Sequence, residues 1–465
     1  MRCIVWHGVC LYIDEKMNYM SYKKTIIPLI LAYGCSLTGY SLVNDTLSLK
    51  QCMEYALSKT TKLKIQKADI DDKRLAIRDA VLSAFTPSIS ASAYAYYNFG
   101  RSIDPQTNTY FNQTSFHNNY SIGASIDLFD GFSAVNNIKI SKTGLMISKS
   151  EEKQAEADIC LSIMEAYYNV VFYKRLGEVY KLQIEEATDA LRKAKIQEEL
   201  GQKGYSEVVQ LEADLADREY DYANNQVMLA DQEMTLRALM FWDEPYPLEI
   251  STELPIYRTI NPDAESLISK ALEYNPEIKI AELTVVNSKR ELTVAKWALF
   301  PTVTLYGGWN TSYYTYSGAT TPKFGEQFKN NRGEYLELAV SIPIYDRLKG
   351  HSNIKRKKNA YLKAKTELDQ KRMDVEMEIR RAVSDCEGTS AAYKQAMKKS
   401  LVQEEAYRLN LKKLEQGLIS SLEFQTANDN YLKAKADEMN SLFKLIIKQA
   451  VIRYYSGIDY INQNY

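Results

Sequence analysis

Two eleven-residue stretches decide the fold: YSIGASIDLFD at residues 120–130 and LELAVSIPIYD at residues 336–346. In each, apolar side chains occupy every second position, and mostly smaller or polar ones lie between them. Alternation with a period of two predicts a β-strand that has one apolar face. The closing aspartates are 216 positions apart (346 minus 130), and Gly201 and Gly417 have the same offset. This constant offset predicts that the second half of the chain duplicates the first.

Each copy is expected to hold a helix, a β-hairpin and a long helical hairpin. Residues 243–261 contain three prolines and predict a linker between the copies. Residues 1–43 are interpreted as a leader and 457–465 as a C-terminal tail. The first repeat is then 44–242, with its β-hairpin at 86–130 and its helical hairpin at 132–241, and the second is 262–456, with the corresponding hairpins at 301–346 and 349–456.

The four alternating segments have the length of membrane-spanning strands, about 9–11 residues. Aromatic residues lie near their ends, and polar connections at 101–118 and 317–333 resemble the extracellular loops of such proteins. An alternative is two hairpins packed on a water-soluble core, which produces the same alternation. The aromatic residues are Tyr97, Phe99, Trp309, Tyr313 and Tyr314.

Long helices follow each hairpin, because residues 133–241 and 349–455 are rich in Ala, Glu, Lys, Leu and Gln and contain no proline. At 1.5 Å per residue, 133–200 alone reaches on the order of 100 Å. Glycines interrupt both runs and predict the tips of helical hairpins. A heptad seam is predicted at Ile138, Leu145, Ile159, Ala166, Tyr173 and Tyr180.

The composition argues against several classes of function. Lys plus Arg (58) nearly equals Asp plus Glu (59), so no charge excess indicates nucleic acid. No phosphate-binding glycine loop, zinc-helix motif or nucleophile elbow is present, and the chain has three histidines and no CxxC pair. We therefore expect no catalytic activity, no cofactor and no metal site.

The N-terminal region resembles a secretion signal. Lys23 and Lys24 precede the apolar run 26–32, as in a charged region followed by a hydrophobic one. Cys35 stands in a weak lipobox-like context, which makes it a candidate for lipidation against the alternative of a cysteine lost with the leader. The mature protein is therefore expected outside the inner membrane.

Four strands are too few to close a barrel in lipid, where an open sheet edge leaves backbone N–H and C=O groups unpaired at several kcal/mol each. Chains must then pool their strands, eight from a dimer or twelve from a trimer. The sequence alone does not decide between a dimer with eight strands and a trimer with twelve.

The order of elements resembles the TolC-type outer-membrane efflux family over nearly all of the mature chain. The resemblance rests on the duplicated hairpins, the Leu128-Phe129-Asp130 exit and the glycine tips. It implies a mainly α protein with a small transmembrane β part, a homotrimer with a twelve-stranded β-barrel continued by a long α-helical coiled-coil barrel. It also implies that a periplasmic adaptor and an inner-membrane pump dock at the helix tips.

Family members close the channel with acidic and polar residues just after the second glycine tip. Glu423 matches the first acidic position and Glu207 is its repeat-mate, whereas Thr426 replaces a second acid and Ile419 a basic partner. The alternative for Glu423 is an ordinary exposed helix glutamate, and for the glycines a simple helix cap. The candidate docking residues are Gly201, Gly204, Tyr205, Gly417, Leu418 and Ser420.

The predicted function is the outer-membrane exit duct of a tripartite efflux or type I secretion system in a Gram-negative bacterium. Its partners would be two further copies of the chain, the adaptor, the pump and outer-membrane lipid. The alternative is a soluble periplasmic coiled-coil scaffold or adaptor. Drugs, metal ions, peptides and proteins all stay open as cargo.

Overall fold

A computed structural model describes residues 46–103, 107–112, 114–253, 260–317 and 320–463. Cys35 and the leader lie outside the described residues. The described chain is mainly helical with a small antiparallel sheet, which confirms the predicted fold class. In the first half, α1 (Leu49–Lys59) and α2 (Thr61–Phe85) precede the strands, and α3 (Ser133–Glu199) and α4 (Tyr205–Met240) follow them.

The second half repeats this order. Helices α5 (Ala264–Tyr274) and α6 (Pro276–Trp297) precede its strands, and α8 (Lys349–Glu415) and α9 (Ser421–Tyr455) follow them. The two longest helices, α3 and α8, have 67 residues each. None of the helices among these residues is both long enough and apolar enough to pass through a bilayer.

The main sheet has four antiparallel strands in the order β1-β4-β5-β6. The strand pair of the first copy thus lies directly beside that of the second. Two short strands, β2 (Arg101–Ile103) and β3 (Tyr110–Asn112), pair with each other in the predicted loop 101–118, part of which is therefore strand. The main strands are β1 (Ser88–Asn98), β4 (Ser115–Phe129), β5 (Thr302–Tyr316) and β6 (Gly333–Ser341).

A short helix, α7 (Phe324–Asn330), occupies the other predicted loop and covers the free edge of β5. Strand β6 pairs with β5 only from Thr302 to Asn310. Beyond that point the Gln327 side chain accepts a hydrogen bond from the Tyr314 N–H (3.1 Å) and donates one to the Tyr314 carbonyl (2.9 Å). The Gln327 amide therefore supplies the hydrogen bonds that a neighbouring strand would otherwise make to Tyr314, because an unpaired strand edge leaves backbone groups without partners.

Both long helices begin in the same way, because an aspartate follows each strand pair. The Asp130 carboxylate accepts a hydrogen bond from the Ala134 N–H (2.6 Å), and the Asp346 carboxylate accepts one from the Gly350 N–H (2.5 Å). Carboxylates are favoured at helix N-termini, where backbone N–H groups lack partners. The aspartates that close the two quoted stretches thus each satisfy one backbone N–H in the first turn of α3 or α8.

The largest hydrophobic core lies around the middle of α3. It joins α1, α3, α4 and α9 to Leu248 and Ile250 of the inter-repeat segment and to Tyr460 near the C-terminus. Leu47 pairs with Ile250 in a parallel bridge, and Arg175 donates two hydrogen bonds to the Thr252 carbonyl. The segments at the ends of the repeats therefore pack on the helices of the first repeat.

The predicted heptad seam of α3 was wrong in position. Of its six residues only Ala166 is buried. Ile159 and Tyr180 flank the core, and the fully buried side chains are instead Ile163, Met164, Val170 and Val171. Helix α3 contacts three other long helices, α2, α4 and α6, and its buried residues do not follow the predicted steps of seven.

Candidate functional site

The first helical hairpin turns at a Schellman motif. Gly201 has φ +73°, the Gly201 N–H donates to the Glu198 carbonyl (2.9 Å), and the Gln202 N–H donates to the Gln197 carbonyl (2.7 Å). No neighbouring atom would meet a Cβ at Gly201, so its conformation rather than its surroundings requires glycine. Gly204 has φ −82° and serves as the N-cap of α4 without a side-chain cap.

The second tip has the same turn and a better cap. Gly417 has φ +68°, and the Leu418 N–H donates to the Lys413 carbonyl (2.8 Å). The Ser420 hydroxyl accepts from the Glu423 N–H (3.3 Å) while the Glu423 carboxylate accepts from the Ser420 N–H (3.4 Å). This is a capping box, so Glu423 has a structural role at the start of α9.

The two tips pack against each other. Lys193 of α3 forms an ion pair with Glu415 of α8 at 2.7 Å, and Tyr407 of α8 donates a hydrogen bond to Glu186 of α3. Four helix ends from both repeats therefore meet in one small core, here called the tip core. Its buried members are Leu191, Ala194, Val208, Leu211, Tyr407, Leu414 and Phe424.

The residues predicted for the gate lie at this end of the molecule. Glu207 is in the first turn of α4, where Lys203 reaches its carboxylate at 3.5 Å. Thr426 is exposed and its hydroxyl donates to the Leu422 carbonyl (3.1 Å). Ile419 packs against the tip core, so it contributes to packing where a basic partner was considered.

Apolar side chains are exposed around both tips. Leu200 and Tyr205 stand beside Gly201 and Gly204, and Leu418 and Leu422 stand beside Gly417. Each of the four side chains is at least 66% exposed. Exposed apolar residues gathered at one place are typical of protein interaction surfaces.

A buried ion pair lies just behind the tips and was not anticipated from the sequence. Arg218 and Asp214 of α4 are 3% and 7% exposed, and the guanidinium donates to the carboxylate at 2.9 Å. Nearby, the Gln183 side chain of α3 donates to the Asn428 side chain of α9 at 2.6 Å. An i,i+4 pair is usually a surface feature of a helix, so the spacing of Asp214 and Arg218 does not indicate that the pair is buried.

Three further carboxylates surround this pair. Asp217 accepts a hydrogen bond from Gln425 at 3.4 Å, and Asp429 lies three residues beyond Thr426. Partial burial raises the pKa of Asp429, with Asp214 adding repulsion and Arg218 opposing it. Partial burial and the neighbouring Asp217 likewise raise the pKa of Asp221.

The opposite end of the described chain is the four-stranded sheet, which has two different faces. The register puts Ile122 opposite Trp309 and Leu338 opposite Leu305 on one face, here called the apolar face. Its outer members are well exposed, with Leu336 at 79% and Ile89 at 72%. Sheet faces of this kind, bounded by aromatic residues, are typical of strands that contact lipid.

The other face of the sheet, here called the polar face, carries hydroxyl groups. Ser92 and Ser121 share a hydrogen bond at 2.7 Å, and Thr304 donates to Asp127 at 2.7 Å. Glu337 is exposed on the same face, opposite Tyr306. These groups suit contact with water and not with lipid.

No reactive centre is found among the described residues. Cys52, Cys160 and Cys386 are free and buried, and burial raises the pKa of the Cys52 and Cys160 thiols to about 12. In the described ranges no three His, Cys, Asp or Glu residues are placed to hold a metal ion. These cysteines are therefore part of the packing.

Comparison with known proteins agrees with this architecture. The family of outer membrane efflux proteins matches residues 54–240 and 267–457. The outer membrane efflux protein BepC of Brucella suis is 21% identical over 375 residues, which are 80% of this chain and 76% of BepC.

Solved structures have the same fold. The CmeC outer membrane channel of Campylobacter jejuni superposes with a TM-score of 0.73 at 16% identity, over 88% of this chain and 85% of CmeC. The outer membrane protein VceC of Vibrio cholerae gives 0.71 at 15% identity, over 88% and 96%. The fold is thus that of an outer-membrane channel.

The chain belongs to the outer membrane efflux protein family. This assignment confirms the family, the transport function and the outer-membrane location that the sequence predicted. The soluble-scaffold alternative is not favoured. Family and fold are those of channels and not of enzymes.

Proposed function

We propose that three copies of this chain form one channel, each contributing four strands to a twelve-stranded barrel. Support comes from the sheet, in which β1 and β6 are the outer strands and, among the described residues, pair with no further strand. An unpaired edge in lipid is unfavourable by several kcal/mol per backbone group, so β1 of one copy would pair with β6 of the next. The exposed apolar face would then contact lipid and the polar face would line the bore.

The long helices would continue this bore into the periplasm. Each of α3 and α8 spans on the order of 100 Å, and rotational symmetry would arrange three pairs of helical hairpins around one axis. Because the glycine tips lie at the far end of these helices from the strands, the tip core would be the periplasmic end.

The tips are proposed as the docking site for a periplasmic adaptor, which would connect the channel to an inner-membrane pump. The exposed apolar side chains around Gly201, Gly204, Gly417 and Ser420 support an interaction surface there. The channel would serve as the passive exit duct of an efflux or type I secretion system, with cargo chosen by the pump.

Glu423, Glu207 and Thr426 are proposed to line the periplasmic opening. Their support is position, since all three follow a glycine tip in the first two turns of α4 or α9. Three symmetry-related copies of Glu423 would repel each other and attract cations in a narrow bore. The capping box does not exclude this role, because the carboxylate stays exposed.

The observation that carries the proposal is the two-faced sheet with free outer strands. Fractionation of cells that express the full chain tests it, with heated and unheated detergent extracts of the outer membrane compared by mass. We expect a heat-sensitive trimer in the outer-membrane fraction. A monomer, or a dimer with eight pooled strands, would contradict the proposed assembly.

A further inference from the structure

The polar face carries a row of aromatic rings that crosses three strands. Tyr96 of β1, His117 of β4 and Tyr314 of β5 occupy directly opposite register positions. The ring centroids of Tyr96 and His117 are 5.0 Å apart with planes at 11°, and those of His117 and Tyr314 are 6.3 Å apart at 28°. Tyr94 stacks beside Tyr96 at 6.3 Å, and Tyr316 contacts Tyr314 at 5.6 Å. These five residues form one continuous surface, here called the aromatic strip.

The aromatic strip is distinct from the aromatic residues of the apolar face. Tyr97, Phe116 and Tyr313 alternate with it along the same strands and make their own ring contacts at 4.9 and 6.4 Å. A band of tyrosines on a lipid-facing surface has an ordinary explanation at the membrane interface. That explanation does not apply to rings on the polar face, where Tyr96 is 46% exposed.

The charges of the polar face all have one sign. The four strands contain no lysine or arginine, and the carboxylates of Asp127 and Glu337 lie on the polar face. The aromatic rings add to the negative potential of the polar face, because ring faces carry the negative part of the quadrupole and attract cations. The polar face is therefore complementary to a group that is both flat and positively charged.

We propose that the aromatic strip is a stacking site for planar aromatic cations that pass through the channel. Asp127 is ten positions from His117 on β4, roughly 33 Å along the strand, so the carboxylates of the polar face would attract cations to the bore and would not contact one bound at the strip. This inference rests on the proposed function, since the strip faces passing molecules only if the polar face lines the bore. Three copies would place three strips around the bore. Tyr94 and Tyr96 are 56% and 46% exposed, so a molecule stacked there would stay partly in water and binding would be weak, as release of cargo requires.

Single-channel recording of the full-length protein in a planar lipid bilayer tests this directly. The probe is ethidium, a planar aromatic cation, and the measured quantity is its residence time in the open channel. Tetraethylammonium has the same charge without a ring, and naphthalene sulfonate has a ring with the opposite charge. We expect ethidium to reside longest.

Single substitutions test whether the aromatic strip itself, and not another part of the channel, sets the residence time of ethidium. Tyr96→Leu and Tyr314→Leu should each shorten the residence of ethidium about two- to fivefold, the size of one exposed cation–π contact. Tyr96→Phe keeps the ring and should change it little. Tyr97→Leu alters the neighbouring tyrosine on the opposite face and should leave it unchanged. Glu337 pairs with Tyr306, eight positions from Tyr314 on β5 and roughly 27 Å away along the strand, so Glu337→Gln should also leave the residence of ethidium unchanged.

The outcomes that would overturn the inference differ from those that would overturn the proposed function. Equal residence of ethidium and tetraethylammonium in conducting wild-type channels refutes the stacking site alone. So do leucine variants that lower trimer stability but leave residence unchanged, because the rings would then be cross-strand packing only. A wild-type protein that never conducts refutes the proposed function and the inference with it.

Discussion

A charge placed on the apolar face of the sheet should prevent stable membrane assembly, and Leu338→Arg is the sharpest such change. Leu338 is 60% exposed within one chain and is the sixth of the nine residues of β6. With about 3.4 Å between residues, it lies near the middle of a strand roughly 30 Å long. Arginine near the midplane of a lipid-facing strand costs about 2–4 kcal/mol. Three equivalent copies would multiply this to roughly 6–12 kcal/mol for the trimer.

The matched control is Glu337→Arg, one residue away on the polar face. Glu337 is already charged and exposed, so arginine there should be tolerated by a water-filled bore. The assay is the yield of heat-sensitive trimer in the outer membrane, followed by the urea midpoint of the protein refolded into lipid vesicles. We expect loss of trimer for Leu338→Arg and near wild-type yield for Glu337→Arg. Equal yields for the two variants would refute the assignment of the faces.

Three further changes test the helical end, with thermal unfolding of the detergent-solubilised protein followed by circular dichroism. Gly201→Ala should destabilise the folded protein by about 1–2 kcal/mol, because the φ of Gly201 is +73°. Gly204→Ala, at φ −82°, should change the stability by less. Equal losses of stability would contradict the Schellman assignment. Arg218→Ala should cost about 3–5 kcal/mol by leaving a buried carboxylate unpaired, and adding Asp214→Asn should recover part of that; no recovery would mean that the cost is lost packing. The pKa of Asp429 is raised, so its contribution to folding stability is present at pH below the ordinary aspartate pKa and is lost as pH rises through the raised value. Asp429→Asn should therefore stabilise the folded protein at pH 7 and not at pH 3.5. The same gain at both pH values would exclude ionisation as the cause.

The features that follow from local chemistry could be predicted from the sequence. Gly201 and Gly417 mark the tips because a left-handed residue ends each helix, and the sheet faces follow from alternation, with Glu334 opposite Trp309 as an exception on the apolar face. Both depend only on residues close together in the chain. The duplication then supplied the order of elements in the second half.

Features that depend on packing between distant segments could not be predicted. The heptad seam failed because α3 is covered by several helices in turn, and the ion pair of Arg218 with Asp214 reads as a surface pair until α3 and α9 enclose it. Helix α7 was missed because its seven residues are too few to show a period. The roles of Glu423, Glu207 and Thr426 at a gate stay predictions.

The contact of α7 with the edge of β5 affects which strands of one chain are available to pair with another chain. A newly secreted chain that exposed six extra backbone positions on β5 would offer a template for mispaired strands and tangled aggregates. Gln327, 4% exposed, hydrogen-bonds both backbone groups of Tyr314 at that edge within the same chain. Among the described residues β1 and β6 are the outer strands, so in the proposed trimer pairing between chains would be directed to these two edges. In the proposed assembly, a side-chain amide in the β5–β6 connection would thereby reduce mispairing between chains.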